Sequence, residues 1–221
     1  MNKLVWSDVD LFLEKLIVKE DDVTRDAVRS STEAGLPEHQ VSPSQGKFLH
    51  LIALMTGAAR ILEIGTLGGY SAIWMAKALP RGGRLISLEL EPRYTEVARR
   101  NIEAAGLSEQ VEVRVGPATD LLPVIEREGT GPFDLVFIDA DKTNMPEHFR
   151  WALKLSHAGT VIIGDNVVRG GAVADRDSSD PSVQGVRRTM ELIATEPRLS
   201  ATALQTVGIK GYDGFVIAVV D

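Results

Sequence analysis

From Arg60 onward the chain repeats one pattern: a short apolar run, a turn, then an amphipathic stretch long enough for a helix. The candidate strands are Arg60–Ile64, Arg84–Glu89, Val111–Val115, Leu135–Asp139 and Thr160–Gly164. Helices are expected between them, near Ser71–Ala78, Arg93–Ala105, Thr119–Arg127 and Pro146–Leu155. Short apolar strands alternating with amphipathic helices are the signature of a parallel α/β sheet. After a polar stretch from Arg169 to Asp180, Pro181 opens another helix. Two further strands, Ser200–Val207 and Phe215–Val220, flank the glycine-rich link Gly208–Gly214. So short a link makes that last pair antiparallel neighbours. The expected fold is α/β: a Rossmann-like, seven-stranded, mostly parallel sheet whose last strand enters antiparallel.

Residues 1–58 carry helical patterning instead. Ser7, followed by Val9, Leu11, Phe12, Leu13 and Leu16, predicts a capped amphipathic helix. A second runs about from Asp22 to Glu33 and stops near Gly35-Leu36-Pro37. Ser42-Pro43 opens a third, through Phe48, Leu49, Leu51, Ile52 and Met55, closed by Gly57. With 221 residues, one domain is expected, its N-terminal helices (1–58) joined to a 59–221 core. Leu11, Phe12, Leu16 and Ile17 are more apolar than a free-standing appendage requires, so these helices should cover a sheet edge or form a dimer contact.

The composition excludes several classes. There is no cysteine, hence no disulfide, thiolate metal site or cysteine nucleophile, which fits a reducing cytosol. The start lacks a basic region followed by a long apolar stretch, and Leu51–Met55 and Val161–Ile163 are too short to span a bilayer. A cytoplasmic protein with no membrane partner is expected. The net charge of −7 lacks the broad basic footprint of a nucleic-acid binder, although Arg99-Arg100 and Arg187-Arg188 leave room for a local patch.

Two features carry chemistry. The first is Ile61-Leu62-Glu63-Ile64-Gly65-Thr66-Leu67-Gly68-Gly69-Tyr70-Ser71, with the form strand, glycine turn, helix that admits a nucleotide-type ligand. It is not the dinucleotide fingerprint, because Leu67 stands where that pattern needs glycine. Glu89 ends the second strand 24 residues after Gly65, the place from which a carboxylate commonly accepts ribose hydroxyls. A nucleoside with a charged amino-acid tail fits this turn better than a nicotinamide dinucleotide does. S-adenosylmethionine is such a ligand, and its sulfonium favours surrounding carboxylates such as Glu63, Glu89 and Asp139.

The second is a pair of acidic strand ends, Phe137-Ile138-Asp139-Ala140-Asp141-Lys142 and Ile162-Ile163-Gly164-Asp165-Asn166. Both should reach the same carboxyl edge of the sheet. Asp139, Asp165 and Asn166 together offer two carboxylates and an amide oxygen, the hard donors preferred by Mg²⁺ or Ca²⁺, with Mn²⁺ as a further candidate. Either aspartate alone could merely cap the following segment; Asn166 directly after Asp165 argues for ligands. Asp141 is expected to face solvent or stand behind the ligands. His39, His50, His148 and His157 show no metal-ligand spacing, and only His39 lies near the segment that should close over the cofactor. Trp74, Phe149 and Trp151 are expected in the core. Ser71 lacks the G-x-S-x-G context of a serine hydrolase. The stretch from Arg169 to Asp180 follows the metal residues directly and is either a linker or a loop that gates substrate.

These pieces resemble the metal-dependent, S-adenosylmethionine-dependent O-methyltransferases of the catechol and caffeoyl-CoA type. The resemblance covers Val41 to the C-terminus. It rests on Ser42-Pro43-Ser44-Gln45-Gly46, Leu62-Glu63-Ile64-Gly65 with Gly69-Tyr70-Ser71, Leu88-Glu89, Val115-Gly116, Phe137–Lys142 and Gly164-Asp165-Asn166-Val167. It implies a class I methyltransferase fold, with Glu63, Gly65 and Ser71 holding the methionine end of the cofactor, helped by the backbone near Val41. It further implies that Glu89 binds ribose and that Gly116, Pro117 and Ala118 lie against adenine. Asp139, Asp165 and Asn166 would ligate the metal, with Asp139 also near the methionine amine. Lys142 matches the general base, and the family is commonly dimeric, so a homodimer is expected.

The chemistry suits those parts. Methyl transfer from a sulfonium to oxygen needs an acceptor close to an oxyanion, whereas a phenol titrates near ~10. A divalent cation stabilises and orients that oxyanion, and a partly desolvated lysine beside it can take the proton. One cation reached by two oxygens implies a vicinal dihydroxy-aromatic, a catechol-like small molecule. The competing expectations are methylation of a hydroxylated tRNA base on the same fold, a nicotinamide-dependent oxidoreductase, which Leu67 disfavours, and a non-catalytic binding module.

Overall fold

A computed structural model describes residues 3–221. Its strands are β1 (Arg60–Ile64), β2 (Arg84–Glu89), β3 (Val111–Val115), β4 (Phe133–Ile138), β5 (Ser156–Asp165), β6 (Leu199–Gly208) and β7 (Gly211–Val220). They form one sheet in the order β3-β2-β1-β4-β5-β7-β6. The first five run parallel, and β7 is antiparallel to both β5 and β6. The expected seven strands and antiparallel last strand are present. Their order reverses between β1 and β4, and a ligand crevice opens at the carboxyl ends of strands flanking such a switch.

Strand side chains alternate between two cores. Ile61, Leu85, Val113, Leu135, Phe137 and Ile163 point to one face, covered by α2 (Asp22–Glu33), α3 (Pro43–Thr56), α4 (Tyr70–Ala76) and α5 (Pro92–Ala104). Leu62, Ile64, Ile86, Leu88, Val136, Ile138 and Ile162 point to the other. That face is covered by α6 (Ala118–Glu128), α7 (Met145–Lys154) and α8 (Pro181–Thr195). The apolar character of both parities is why the central strands read as unbroken hydrophobic runs.

The N-terminal helices follow the patterning, with one correction. Ser7 does not cap a helix. The first helix, α1 (Lys3–Leu13), is already under way before it, and the Ser7 hydroxyl donates back to the Lys3 carbonyl at 3.3 Å. A serine inside a helix can satisfy itself this way as readily as it can cap one. A π-helical turn, Glu14–Val18, follows and ends on left-handed Lys19. The next two helices are capped, α3 at both of its predicted ends and α2 at its start by a residue the patterning did not single out. Asp21 accepts from Thr24 N–H ahead of α2, Ser42 from Gln45 N–H ahead of α3, and Gly57 closes α3 in the left-handed conformation it suits. The hairpin link is shorter than predicted: Tyr212-Asp213-Gly214 pairs with Gln205–Val207, so only Ile209-Lys210 remains as the turn. Beyond Asp165, the polar stretch opens with a 3₁₀ turn, Arg169–Ala174.

Candidate active site

The carboxyl ends of β1, β2, β4 and β5 open into one cleft of about 730 Å³. Its floor is the turn after β1. Gly65 sits at φ +103°, and a Cβ there would lie 2.3 Å from the Asp139 carbonyl oxygen, so only glycine lets β1 and β4 leave the sheet side by side. Leu67 is left-handed at φ +50°. That conformation is held by Glu89, whose Oε2 accepts from the N–H groups of Thr66 (3.2 Å) and Leu67 (2.7 Å), while Oε1 accepts from Glu91 N–H (2.9 Å). Two amides of the glycine turn therefore point at a carboxylate, an arrangement unsuited to a pyrophosphate. Gly116, Pro117 and Ala118, after β3, line the same cleft, as do Val41 and His39 from the segment preceding α3.

The opposite wall is acidic. Asp139 follows β4 directly, and Lys142 Nζ donates to its Oδ1 at 3.0 Å. Lys142 is buried, so this contact is shielded from water. Asp165, the last residue of β5, is 5% exposed. Burial, aided by the negative charge of Asp139, pushes its carboxyl up to about 7; Lys142, the Asn166 backbone and a hydrogen bond from Gln45 act the other way. Asn166 follows in a left-handed conformation (φ +53°) on the same wall. Among the described residues no group of three or more His, Asp or Glu side chains could hold a metal ion. The donor set is instead two carboxylates and one amide. A buried carboxylate whose ionised form is disfavoured, Asp165, beside the carboxylate of Asp139 and an amide oxygen, suits a divalent cation, which would relieve the repulsion.

The family model described as O-methyltransferase matches residues 14–218. The chain belongs to the O-methyltransferase family. It is accordingly an enzyme, an S-adenosylmethionine-dependent O-methyltransferase with the Rossmann-like fold expected of one. It is 50% identical over 220 residues to a catechol O-methyltransferase of Niastella koreensis, with 100% of each chain covered. It is 48% identical to one of Mycobacterium tuberculosis, covering 96% of this chain and 95% of the relative. Among solved structures, an O-methyltransferase of Bacillus cereus in complex with SAH superposes with a TM-score of 0.98 at 55% identity, with 100% of each chain covered. TomG of Streptomyces achromogenes, an O-methyltransferase in complex with SAM, superposes with a TM-score of 0.96 at 51% identity, over 100% of this chain and 99% of that one.

In this O-methyltransferase, Val41, Gly65, Ser71, Glu89, Gly116, Pro117, Ala118, Asp139, Lys142, Asp165 and Asn166 all line the one cleft. Glu63 does not. It shares the parity of Ile61 and so points under α4, fully buried, taking hydrogen bonds from Ser71 Oγ (2.5 Å) and Ser87 Oγ. Burial pushes its carboxyl up to about 8 despite both hydroxyls, with the charges of Asp139 and Glu89 adding to the rise. Glu63 therefore stands directly behind Ser71, which does line the cleft. Trp74 and Phe149 are buried as expected, while Trp151 is only half-buried, with Lys154 Nζ 4.6 Å from its ring centre. Asp141 is exposed and accepts from Asn144 N–H at 2.9 Å. Sequence reasoning missed Gln45, Tyr94, Arg169, Lys210 and Asp213, which also line the cleft, and His148, which is buried there with Nδ1 unpartnered. Gln45 lies in the Ser42–Gly46 segment, Arg169 opens the stretch suspected of gating substrate, and Lys210 and Asp213 sit in the Gly208–Gly214 link, but nothing in those local patterns singles out these side chains.

Proposed function

We propose that this enzyme methylates one hydroxyl of a catechol-like small molecule and that it depends on a divalent cation, Mg²⁺ or a similar hard ion. The observation that carries the reading is the meeting of Asp139, Lys142, Asp165 and Asn166 with Gly65, Glu89 and Gly116 around one cleft. The catechol reading is further supported by the two relatives above, both named catechol O-methyltransferases.

In this scheme Ser71 and the Val41 backbone receive the methionine end of the donor. Glu89, held rigid by three backbone N–H groups, receives the ribose, and Gly116-Pro117-Ala118 packs against adenine. Asp139, Asp165 and Asn166 hold the cation, which when bound supplies Lewis-acid stabilisation of a vicinal diol's oxyanion. Lys142, positioned by its contact with Asp139, is the group that receives the hydroxyl proton, at Nζ. The donor's methyl then passes from sulfur to the acceptor oxygen, and S-adenosylhomocysteine leaves. The walls align the two reactants, a contribution worth at most about 7–11 kcal/mol.

The chain is further proposed to act as a cytoplasmic homodimer. Among the described residues no helix is long and apolar enough to cross a membrane. Val9, Phe12, Leu16 and Ile17 are nonetheless exposed, as are Leu54 and Met55 on α3 and Leu204 and Val207 on β6. Asp10 ties α1 to the β6–β7 turn through Ile209 N–H (2.6 Å), which places apolar surface beside an uncovered sheet edge. Both are features that soluble proteins normally cover.

Methyl transfer from S-adenosylmethionine to catechols, flavonoids and hydroxylated tRNA, with and without EDTA, tests the catalytic reading. Catechol turnover should vanish with EDTA and return with Mg²⁺. An Asp165→Ala/Asn166→Ala variant should lose at least about a hundredfold in kcat while still binding the donor. Full turnover by that variant, or turnover indifferent to EDTA, would overturn it.

A further inference from the structure

One cation at the acceptor wall is left unexplained by the scheme above. Arg169 lines the cleft three residues beyond Asn166. Its Nε is buried and has no hydrogen-bond partner, and none of its side-chain atoms joins an ion pair among the described residues. The backbone is built to hold it. Asp213 Oδ1 accepts from Val168 N–H (2.9 Å) and Arg169 N–H (3.0 Å), securing Arg169 in the left-handed region at φ +56°. Glycine is the usual occupant of such a position, and Gly170 and Gly171 follow immediately with the same sign of φ. Lys210 also lines the cleft, with Nζ on the Glu38 carbonyl at 2.9 Å, joining the β6–β7 turn to the segment before α3.

A partly desolvated arginine that lines a cleft without a counter-ion is costly to hold, and the cost is recovered when a ligand brings an anion to its guanidinium. The carboxylates of the cleft are engaged elsewhere: Asp139 with Lys142, Asp165 with Gln45 and the Asn166 backbone, and Asp213 with backbone amides. We propose that Arg169 is a specificity-determining residue which binds an anionic substituent, such as a carboxylate, on the catechol ring, with Lys210 as a second cation lining the cleft. This inference rests on the catechol reading and narrows it to acidic catechols.

The test is a charge series on one ring: 3,4-dihydroxybenzoate, 3,4-dihydroxybenzamide and 3,4-dihydroxybenzylamine, assayed with S-adenosylmethionine and Mg²⁺. The benzoate should exceed the amide in kcat/KM by at least about tenfold, with the amine slowest. In Arg169→Met the benzoate-to-amide ratio should fall toward one, and Arg169→Lys should restore part of it. Lys210→Met should lower the ratio by a smaller factor. Methylation of all three acceptors without charge preference would overturn this inference and leave the catechol reading standing. A loss in Arg169→Met shared equally by benzoate and amide, or a raised KM for the donor, would also overturn it by marking a structural or donor-binding role. Failure to methylate any of the three would overturn both.

Discussion

At the scale of single residues, the site depends on positions where one side chain excludes every alternative. Gly65→Ala places a methyl 2.3 Å from the Asp139 carbonyl at a φ that alanine resists. It should weaken binding of S-adenosylhomocysteine at least about tenfold and cost about 2 kcal/mol of stability, read by calorimetry and urea titration. Glu63 gives a pH signature. Its carboxyl is held at about 8 in the native state, above its ordinary 4.5, so the folded protein keeps a proton that the unfolded chain releases. The linked stability is present in full below the ordinary value, declines as pH rises between the two, and is lost above about 8. The slope approaches about 1.4 kcal/mol per pH unit. Glu63→Gln should flatten that decline in urea unfolding between pH 5 and pH 8; an unchanged slope would show that Glu63 does not titrate there. Asp139 and Asp165 were legible because a strand end is marked by its own apolar run. The burial of Glu63 was not legible, because its parity shows only that it points away from Leu62, whereas α4 decides what lies on that side.

Among elements, α8 has a role that its sequence does not announce. A Cβ on Gly185 would stand 1.9 Å from the Lys142 carbonyl oxygen and 3.0 Å from Thr143 Cα. The helix therefore packs directly on the backbone that carries Lys142. It is also tied to the stretch after Asn166, by Arg187 to the Val173 carbonyl (2.6 Å) and Gln184 to the Ser178 carbonyl (2.7 Å). Gly185→Ala should displace Lys142 and lower kcat about tenfold or more, with a smaller effect on KM for the donor. If instead the donor's KM rises and kcat holds, α8 does not position Lys142. The helix itself was predicted from Pro181, and Asp180 caps it by accepting from Ser182 N–H at 2.7 Å. Its contact with Lys142 spans more than 40 residues of sequence and leaves no local pattern beyond one small residue.

For the whole molecule, the proposed homodimer rests on the surface of α1 and β6. β6 is a ten-residue edge strand exposed along most of its length, and Phe12 and Ile17 lie 63% and 69% exposed on the N-terminal segment. Light scattering should give the mass of two 24.0 kDa chains. Phe12→Glu combined with Leu16→Glu should shift that mass toward one chain, because burying two carboxylates in an apolar interface costs several kcal/mol. A monomeric wild-type protein would refute the homodimer.

The α/β class, the seven strands, the antiparallel last strand and the strand-end aspartates are all legible in the chain, because each is written in local periodicity or in a turn that follows it. Tertiary structure alone decided that Glu63 lies beneath α4, that Glu89 takes the amides of the Leu67 turn, that α8 abuts Lys142, and that Arg169 lines the cleft with its Nε unpartnered. These are contacts between segments distant in sequence. They depend on which helix covers which face of the sheet, and the chain encodes that only through the packing of the whole.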